Sequence, residues 1–306
     1  MTWKNDVMLR SRSGVSRRAA VAAALLSLTV AAGCGGADDT EDTEAPAAEV
    51  SGASAQSAMV RLWGAGTPAF GVYVPSERER GARGPDGERL PPLYTVEAGV
   101  RLAANPLLDF AFLNLEGYYD PEAVLALTEG MAGSDKTLLV RIPPISADGE
   151  EAARARVAEI LAAGADGIVI PHVRNPDEAR TAVSFFSDIG ADVWSPQNPA
   201  GTILAMLMLE DPEAIEATAE IADIPGYSAL ACGIGSLTQA LDGDRETAEA
   251  LNLEVLAQAT RAGLADMITA RGDDIAKRID DGFLGLLMSG PEADATIQVG
   301  RTHSGR

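Results

Sequence analysis

From residue 69 to residue 289, short apolar runs rich in Val, Ile and Leu alternate with longer stretches whose apolar positions recur with helical period. The runs are AFGVYV (69–74), DFAFLNLE (109–116), TLLVRI (137–142), GIVI (167–170), TILAMLML (202–209), SALACG (228–233), DMITA (266–270) and FLGLLMS (283–289). A weaker ninth is ADVWS (191–195). Continuous apolar runs of this length suit strands covered on both faces, as in a parallel sheet. A recurring junction marks where helices begin: DPEA at 120–123, NPDEA at 175–179, DPEA at 211–214 and GPEA at 290–293. Asp120, Asn175 and Asp211 are expected to cap the first backbone amides, with proline at the first helical position and acids facing the positive helix end. Eight strands alternating with helices over about 245 residues predict an α/β (β/α)8 TIM barrel, for which about 250 residues is typical. A doubly wound open sheet is the runner-up. The chain carries no glycine fingerprint of a dinucleotide site and no phosphate-cradling Walker loop.

The first 33 residues belong to a different kind of segment. Lys4, Arg10, Arg12, Arg17 and Arg18 precede an apolar stretch from Ala19 to Ala32, and a small-residue AAGC follows, which reads as a secretory signal of lipoprotein type. Cys34 would then be the lipidated first residue of the mature chain. An ordinary signal cut near Ala32, leaving Cys34 a free thiol, is the alternative. Residues 34–60 are small, acidic and aperiodic, too poor in apolar surface to fold alone, and read as a disordered tether. The folded domain is expected over 61–306, exported to the cell envelope or periplasm and touching the membrane only through lipid on Cys34.

Charge narrows the partners. The whole chain has 24 basic and 45 acidic residues, a net charge of −21. Without residues 1–33 the balance is 19 against 44. Such a surface repels nucleic acid and anionic lipid. Cys232 is the only cysteine besides Cys34, so the domain depends on its core and not on a disulfide.

In a TIM barrel the reacting groups gather at the C-terminal ends of the strands. Those positions hold Glu116 after the second strand, Arg141 at the end of the third, His172 after the fourth, Glu210 after the fifth and GIGSLT (233–238) after the sixth. Each has a plain structural reading as well: a solvated acid, an arginine paired with a neighbouring carboxylate, a histidine satisfied by its loop. Together they suggest one chemistry. Carboxylates on separate strands bind a hard divalent cation, and an arginine fork grips a carboxylate through two parallel hydrogen bonds. A metal chelated by a 2-oxo acid polarises its carbonyl and stabilises an enolate. Arg78, Arg80, Arg83 and Arg89 form a basic cluster in the insert 75–94, read as solvated charges balanced by Glu77, Glu79, Asp86 and Glu88. Cys232 reads as a packing thiol.

DFAFLNLEGYYD, LLVRIPP, GADGIVIPHVRNPDEAR, AMLMLEDPEAIEATAEIADIPGYSAL and CGIGSLTQAL follow one another in an order and spacing that resembles the HpcH/HpaI aldolase/citrate lyase family, over most of residues 66–289. The resemblance implies a class II pyruvate aldolase-like enzyme in which Glu210 holds a divalent cation (Mg, Mn or Co) and Arg141 grips the pyruvate carboxylate. It also places Gly235 and Ser236 at the substrate. Relatives form homo-oligomers through C-terminal helices, and SGPEADATIQ would serve so here.

Several departures accompany the resemblance. The family's second metal ligand, an aspartate, falls on Ser236. Its DLEH becomes NLEG, putting Asn114 and Gly117 where an aspartate and the catalytic histidine stand, and the aspartate that partners that histidine falls on Ala162. The loop around WSPQNPAG is short. These changes make Glu116 the expected second metal ligand and His172 the expected replacement base, with Tyr118 and Tyr119 as weaker hydrogen-bond donors. The expected function is a metal-dependent carbon–carbon lyase acting beside a 2-oxo or hydroxy acid unit, with an altered base. The alternative is a catalytically inactive barrel lipoprotein that binds small carboxylic acids. If the Glu116 and Glu210 carboxylates stand more than about 8 Å apart they cannot share an ion whose ligand bonds are about 2.0–2.6 Å.

Overall fold

A computed structural model describes residues 56–306. The stretch read as a secretory signal, Cys34 and the stretch read as a tether up to residue 55 lie outside the described residues. Eight parallel strands close in sequence order into a barrel: β1 (Ala69–Tyr73), β2 (Phe110–Asn114), β3 (Thr137–Arg141), β4 (Gly167–Ile170), β5 (Leu204–Leu209), β6 (Ala229–Cys232), β7 (Ala265–Thr269) and β8 (Gly285–Met288). β8 pairs back onto β1, with Ala69 opposite Gly285, which completes the ring. The expected (β/α)8 barrel is therefore the fold.

Around it run α1 (Ala58–Gly64), α2 (Val96–Ala104), α3 (Pro121–Gly130), α4 (Ile145–Asp148), α5 (Glu150–Ala162), α6 (Pro176–Asp188), α7 (Pro212–Glu216), α8 (Thr218–Ala222), α9 (Ile234–Ala240), α10 (Arg245–Ala262), α11 (Ile275–Asp281) and α12 (Ala293–His303). No helix among the described residues is long and apolar enough to cross a membrane.

Strand alternation divides the buried side chains into two cores. In β5, Leu204, Met206 and Met208 face the barrel interior, while Ala205, Leu207 and Leu209 face the helices. Phe110 and Phe112 of β2, Leu139 of β3 and Val169 of β4 fill the same interior. Both faces of each strand are thus covered, which is why the strands read as unbroken apolar runs.

The barrel floor is closed by α1. Met59, Val60 and Trp63 are buried there, the Met59 amide donates to Thr137 Oγ1 at 3.0 Å, and Trp63 Nε1 donates to the Leu284 carbonyl at 2.8 Å. This helix begins at Ala58, inside the stretch read as tether, so the folded body starts a few residues before 61. The chain's end returns to the same floor. Arg306 grips Asp109 with two bonds of 2.7 and 2.9 Å, and Asp109 also accepts from the Phe70 amide at 2.9 Å. Gly300 of α12 lies against Phe70 and Ile275, so this face of the C-terminal helix is spent within its own barrel.

The helix junctions follow the expectation in part. Asp120 accepts from the Glu122 amide and Asn175 from the Glu178 amide, each with proline opening the helix. The fourth junction differs: Pro291 precedes α12, which starts at Ala293 behind Glu292. ADVWS forms only isolated bridges, Val193 with Ile203 and Ser195 with Asn198, and is not a barrel strand.

Candidate active site

The alternation that fills the barrel also aims its polar residues. Met208 points inward and Leu209 outward, so Glu210 points inward again, at the first position past the strand. The same parity carries Arg141 inward beyond Leu139, and Asn114 and Glu116 inward beyond Phe112. β2, β3 and β5 thereby deliver an arginine and two carboxylates to one mouth.

His172 joins them by another route. Counting from Val169, it falls on the outward parity. Its backbone sits in the left-handed region at φ 53°, a conformation that few residues other than glycine adopt, and the side chain turns to the mouth. Its Nε2 lies 3.1 Å from Glu116 Oε1 and 3.3 Å from Glu210 Oε2. Its amide donates to the same Glu210 oxygen at 3.3 Å. One donor atom each from Glu116, His172 and Glu210 lie within 4.8 Å of one another, well inside the limit at which the carboxylates would be too far apart.

Arg141 is already engaged. Its Nη2 forms an ion pair with Glu116 Oε2, and its Nε donates to Asn114 Oδ1 at 3.0 Å. Nη1 donates only to Met208 Sδ, a weak acceptor, at 3.8 Å. The open two-bond fork expected from the sequence is therefore half occupied by Glu116. Asn114 Oδ1 also accepts from the Glu116 amide at 3.1 Å, tying the two partners together.

Glu210 is 2% exposed, and no lysine or arginine among the described residues pairs with it. A buried carboxylate is costly without a compensating charge, so this position calls for a cation. Space for it is cleared by Gly233, where a Cβ would strike Glu210 Oε1 and come within 2.5 Å of Cδ.

Asp211 departs from its expected role. It occupies the N-cap position of α7, but its side chain makes no capping hydrogen bond. Instead Oδ2 stands 4.0 Å from His172 Nδ1. The remaining expected residues lie elsewhere. Ser236 is exposed on α9 and makes no hydrogen bond to Glu210. Gly235 lines a cavity of about 870 Å3 beside Arg271 and Thr296 on the β6–β8 side of the barrel. Tyr118 is half exposed, and Tyr119 donates to Glu159 at 2.6 Å. A Cβ on Gly117 would meet nothing within 4 Å. The insert arginines do not pair with the insert acids: Arg78 donates to the Pro91 carbonyl, Arg83 to the Gly87 carbonyl, and Glu77 binds Arg101 from α2.

The residue missed at the sequence level is Tyr73. It ends β1 on the inward parity, edge-on to Phe112 with ring centroids 5.0 Å apart. Burial pushes its phenol above the usual value; Arg141 opposes the rise, and Glu210 and Glu116 add to it. Its signal was the final inward position of the first strand. Cys232 is buried, and burial, with Asp266, Glu210 and Glu249 nearby, pushes its thiol well up, which leaves it protonated and inert.

Residues 122–283 match the HpcH/HpaI aldolase/citrate lyase family model. The chain belongs to that family. Family members are aldolases and lyases of carbon–carbon bonds. Among solved structures, an HpcH/HpaI aldolase/citrate lyase family protein from Burkholderia cenocepacia is 21% identical, covers 80% of this chain and 96% of its own, and superposes with a TM-score of 0.58. The HpcH/HpaI aldolase from Desulfitobacterium hafniense is 22% identical over 79% of this chain and 93% of its own, with a TM-score of 0.58. The citrate lyase beta subunit of M. tuberculosis, complexed with oxaloacetate and magnesium, is 16% identical over 78% and 96%, with a TM-score of 0.54. No curated protein matches the chain.

Proposed function

We propose that this protein is a divalent-metal-dependent carbon–carbon lyase acting beside a 2-oxo acid unit, with Glu210 and Glu116 holding the ion and Arg141 orienting the substrate carboxylate. The observation that carries it is Glu210: a carboxylate 2% exposed at the barrel mouth, with no lysine or arginine partner among the described residues and a second carboxylate oxygen close by. The residues fit a cation on that ground. A bound divalent ion supplies Lewis acidity, polarising the carbonyl of a chelated 2-oxo acid and stabilising charge that develops on it.

The chain's own part is positioning. Arg141 Nη1 offers the substrate carboxylate a charge-assisted bond, while Asn114 fixes the guanidinium plane through Nε. Tyr73, kept protonated by burial, is a donor beside the same carboxylates. His172 was read as the base, but its Nε2 is already turned to Glu116 and Glu210. Export and a lipid anchor on Cys34 complete the proposal, on the signal-like N-terminus alone, as does assembly into a homo-oligomer, on family resemblance alone.

A second reading, a barrel that binds small carboxylic acids without turning them over, is favoured by the empty space at Gly117, where the family's histidine would stand. Pyruvate release from a panel of 4-hydroxy-2-oxo acids, with Mg, Mn or Co supplied, separates the two. Release abolished by Glu210→Ala supports the lyase. Affinity for oxalate or pyruvate without any release supports the binder.

A further inference from the structure

We propose that His172 is a metal ligand and not the base, so that the ion sits in a Glu116–His172–Glu210 site that has exchanged an oxygen donor for an imidazole nitrogen. This rests on the metal dependence proposed above and gives the ion a different coordination.

Four independent features point to it. The first is the distance set. Nε2 is 3.1 and 3.3 Å from carboxylate oxygens on two different strands, and the three donor atoms lie within 4.8 Å of one another. An ion among them with ligand bonds of about 2.0–2.6 Å would need only small side-chain shifts. The second is the far side of the ring. Nδ1 looks toward Asp211 Oδ2 at 4.0 Å, and ligand histidines commonly hand their second N–H to a carboxylate, which fixes tautomer and orientation. Asp211 is available for this because its side chain does not cap α7. The third is the backbone. Among the described residues His172 and Asp242 alone hold a positive φ without being glycine, and such strain persists where the aim of a side chain matters. The fourth is Ser236, which is exposed and makes no hydrogen bond to Glu210, and which leaves the place of a second acid to be filled from another strand.

A base needs a lone pair directed at the substrate, whereas Nε2 is directed between two carboxylates. The nitrogen also sets preference: imidazole suits Zn, Cu, Fe and Ni, and affinity rises along the row through Co, while Mg, Ca and Mn suit oxygen ligands. The site is therefore selective for a transition metal over Mg.

Calorimetric titration of the chelator-stripped protein with Zn, Co and Mg tests this without turnover. The wild type is expected to bind Zn and Co at least about 100-fold more tightly than Mg. His172→Ala is expected to lose most of that preference while Mg affinity changes little, and Asp211→Asn to weaken Zn binding roughly 10-fold. The visible spectrum of bound Co should change in His172→Ala. If His172→Ala is poorly folded, His172→Gln and Asp211→Asn carry the comparison, with circular dichroism confirming the fold. Zn affinity unchanged in these variants, or a wild type that prefers Mg, overturns the proposal. Selective, His172-dependent Zn binding without pyruvate release would leave this site standing and remove the lyase reading. Metal-dependent release with His172-independent binding would do the reverse.

Discussion

Gly233, the residue after β6, lies directly against the Glu210 carboxylate, so that any Cβ at that position would overlap Oε1. A buried acid with no room to retreat is held where a cation can reach it, and the glycine is what allows the strand end of β6 to pass so close. Gly233→Ala should push Glu210 out of place. The barrel should still fold, by circular dichroism, while affinity for a divalent ion falls about 10-fold or more, the equivalent of about 1.4 kcal/mol. Unaltered binding in a folded Gly233→Ala protein would show that the close approach has no bearing on the site.

The floor helix α1 contributes stability and not chemistry. Trp63 is 3% exposed, packs against Trp194 with ring centroids 6.2 Å apart, and seals the interior column from below. Trp63→Ala should lower unfolding free energy by about 3–5 kcal/mol, the range for large aromatic truncations in a core. Denaturant titration with metal affinity measured in parallel checks this: stability should drop while the mouth, at the other end of the barrel, keeps its ion.

Asp266 is a buried carboxyl group that the mouth does not use. It sits on the outward face of β7, 2% exposed, and apart from a weak contact with the Met267 amide its carboxylate oxygens have no hydrogen-bond partner. Burial raises its pKa well above the ordinary carboxylate value. The folded state therefore holds this proton more tightly than the unfolded chain. Its contribution is most favourable below the unfolded value of about 3.9 and is lost as pH rises toward the folded value. Asp266→Val should raise stability by about 1–3 kcal/mol at pH 7, more than it does at pH 4. Chemical unfolding at the two pH values measures the difference, and equal effects at both would contradict the assignment.

Much of this was legible beforehand because the relevant signals are periodic. The barrel strands showed as apolar runs since a parallel sheet is covered on both faces, and Glu210, Arg141 and Glu116 could be placed at the mouth by counting from those runs. What stayed hidden depends on single backbone torsions or on competition between neighbours. His172 lies on the wrong parity, and only its left-handed φ turns it inward. Asp211 stands at a helix start and looked like a cap, but its carboxylate does not cap and stands 4.0 Å from His172 Nδ1. A neighbouring carboxylate was one reading for Arg141, but its identity stayed hidden because Glu116 comes from a different strand, 25 residues earlier in the chain. The first three residues of the α1 plug, Ala58 to Val60, fell within the tether reading because seven residues are too few to show a helical period.

The central claim is that the mouth formed by Glu210, Glu116 and Arg141 binds a 2-oxo acid through a divalent ion and activates the carbon beside its carbonyl. Exchange of the methyl protons of pyruvate into deuterium oxide, followed by proton NMR, tests it without knowledge of the natural substrate. The expected result is exchange that requires added metal, stops on chelation and is lost in Glu210→Ala. Absence of exchange in the metal-loaded wild type, or equal exchange in Glu210→Ala, would contradict it.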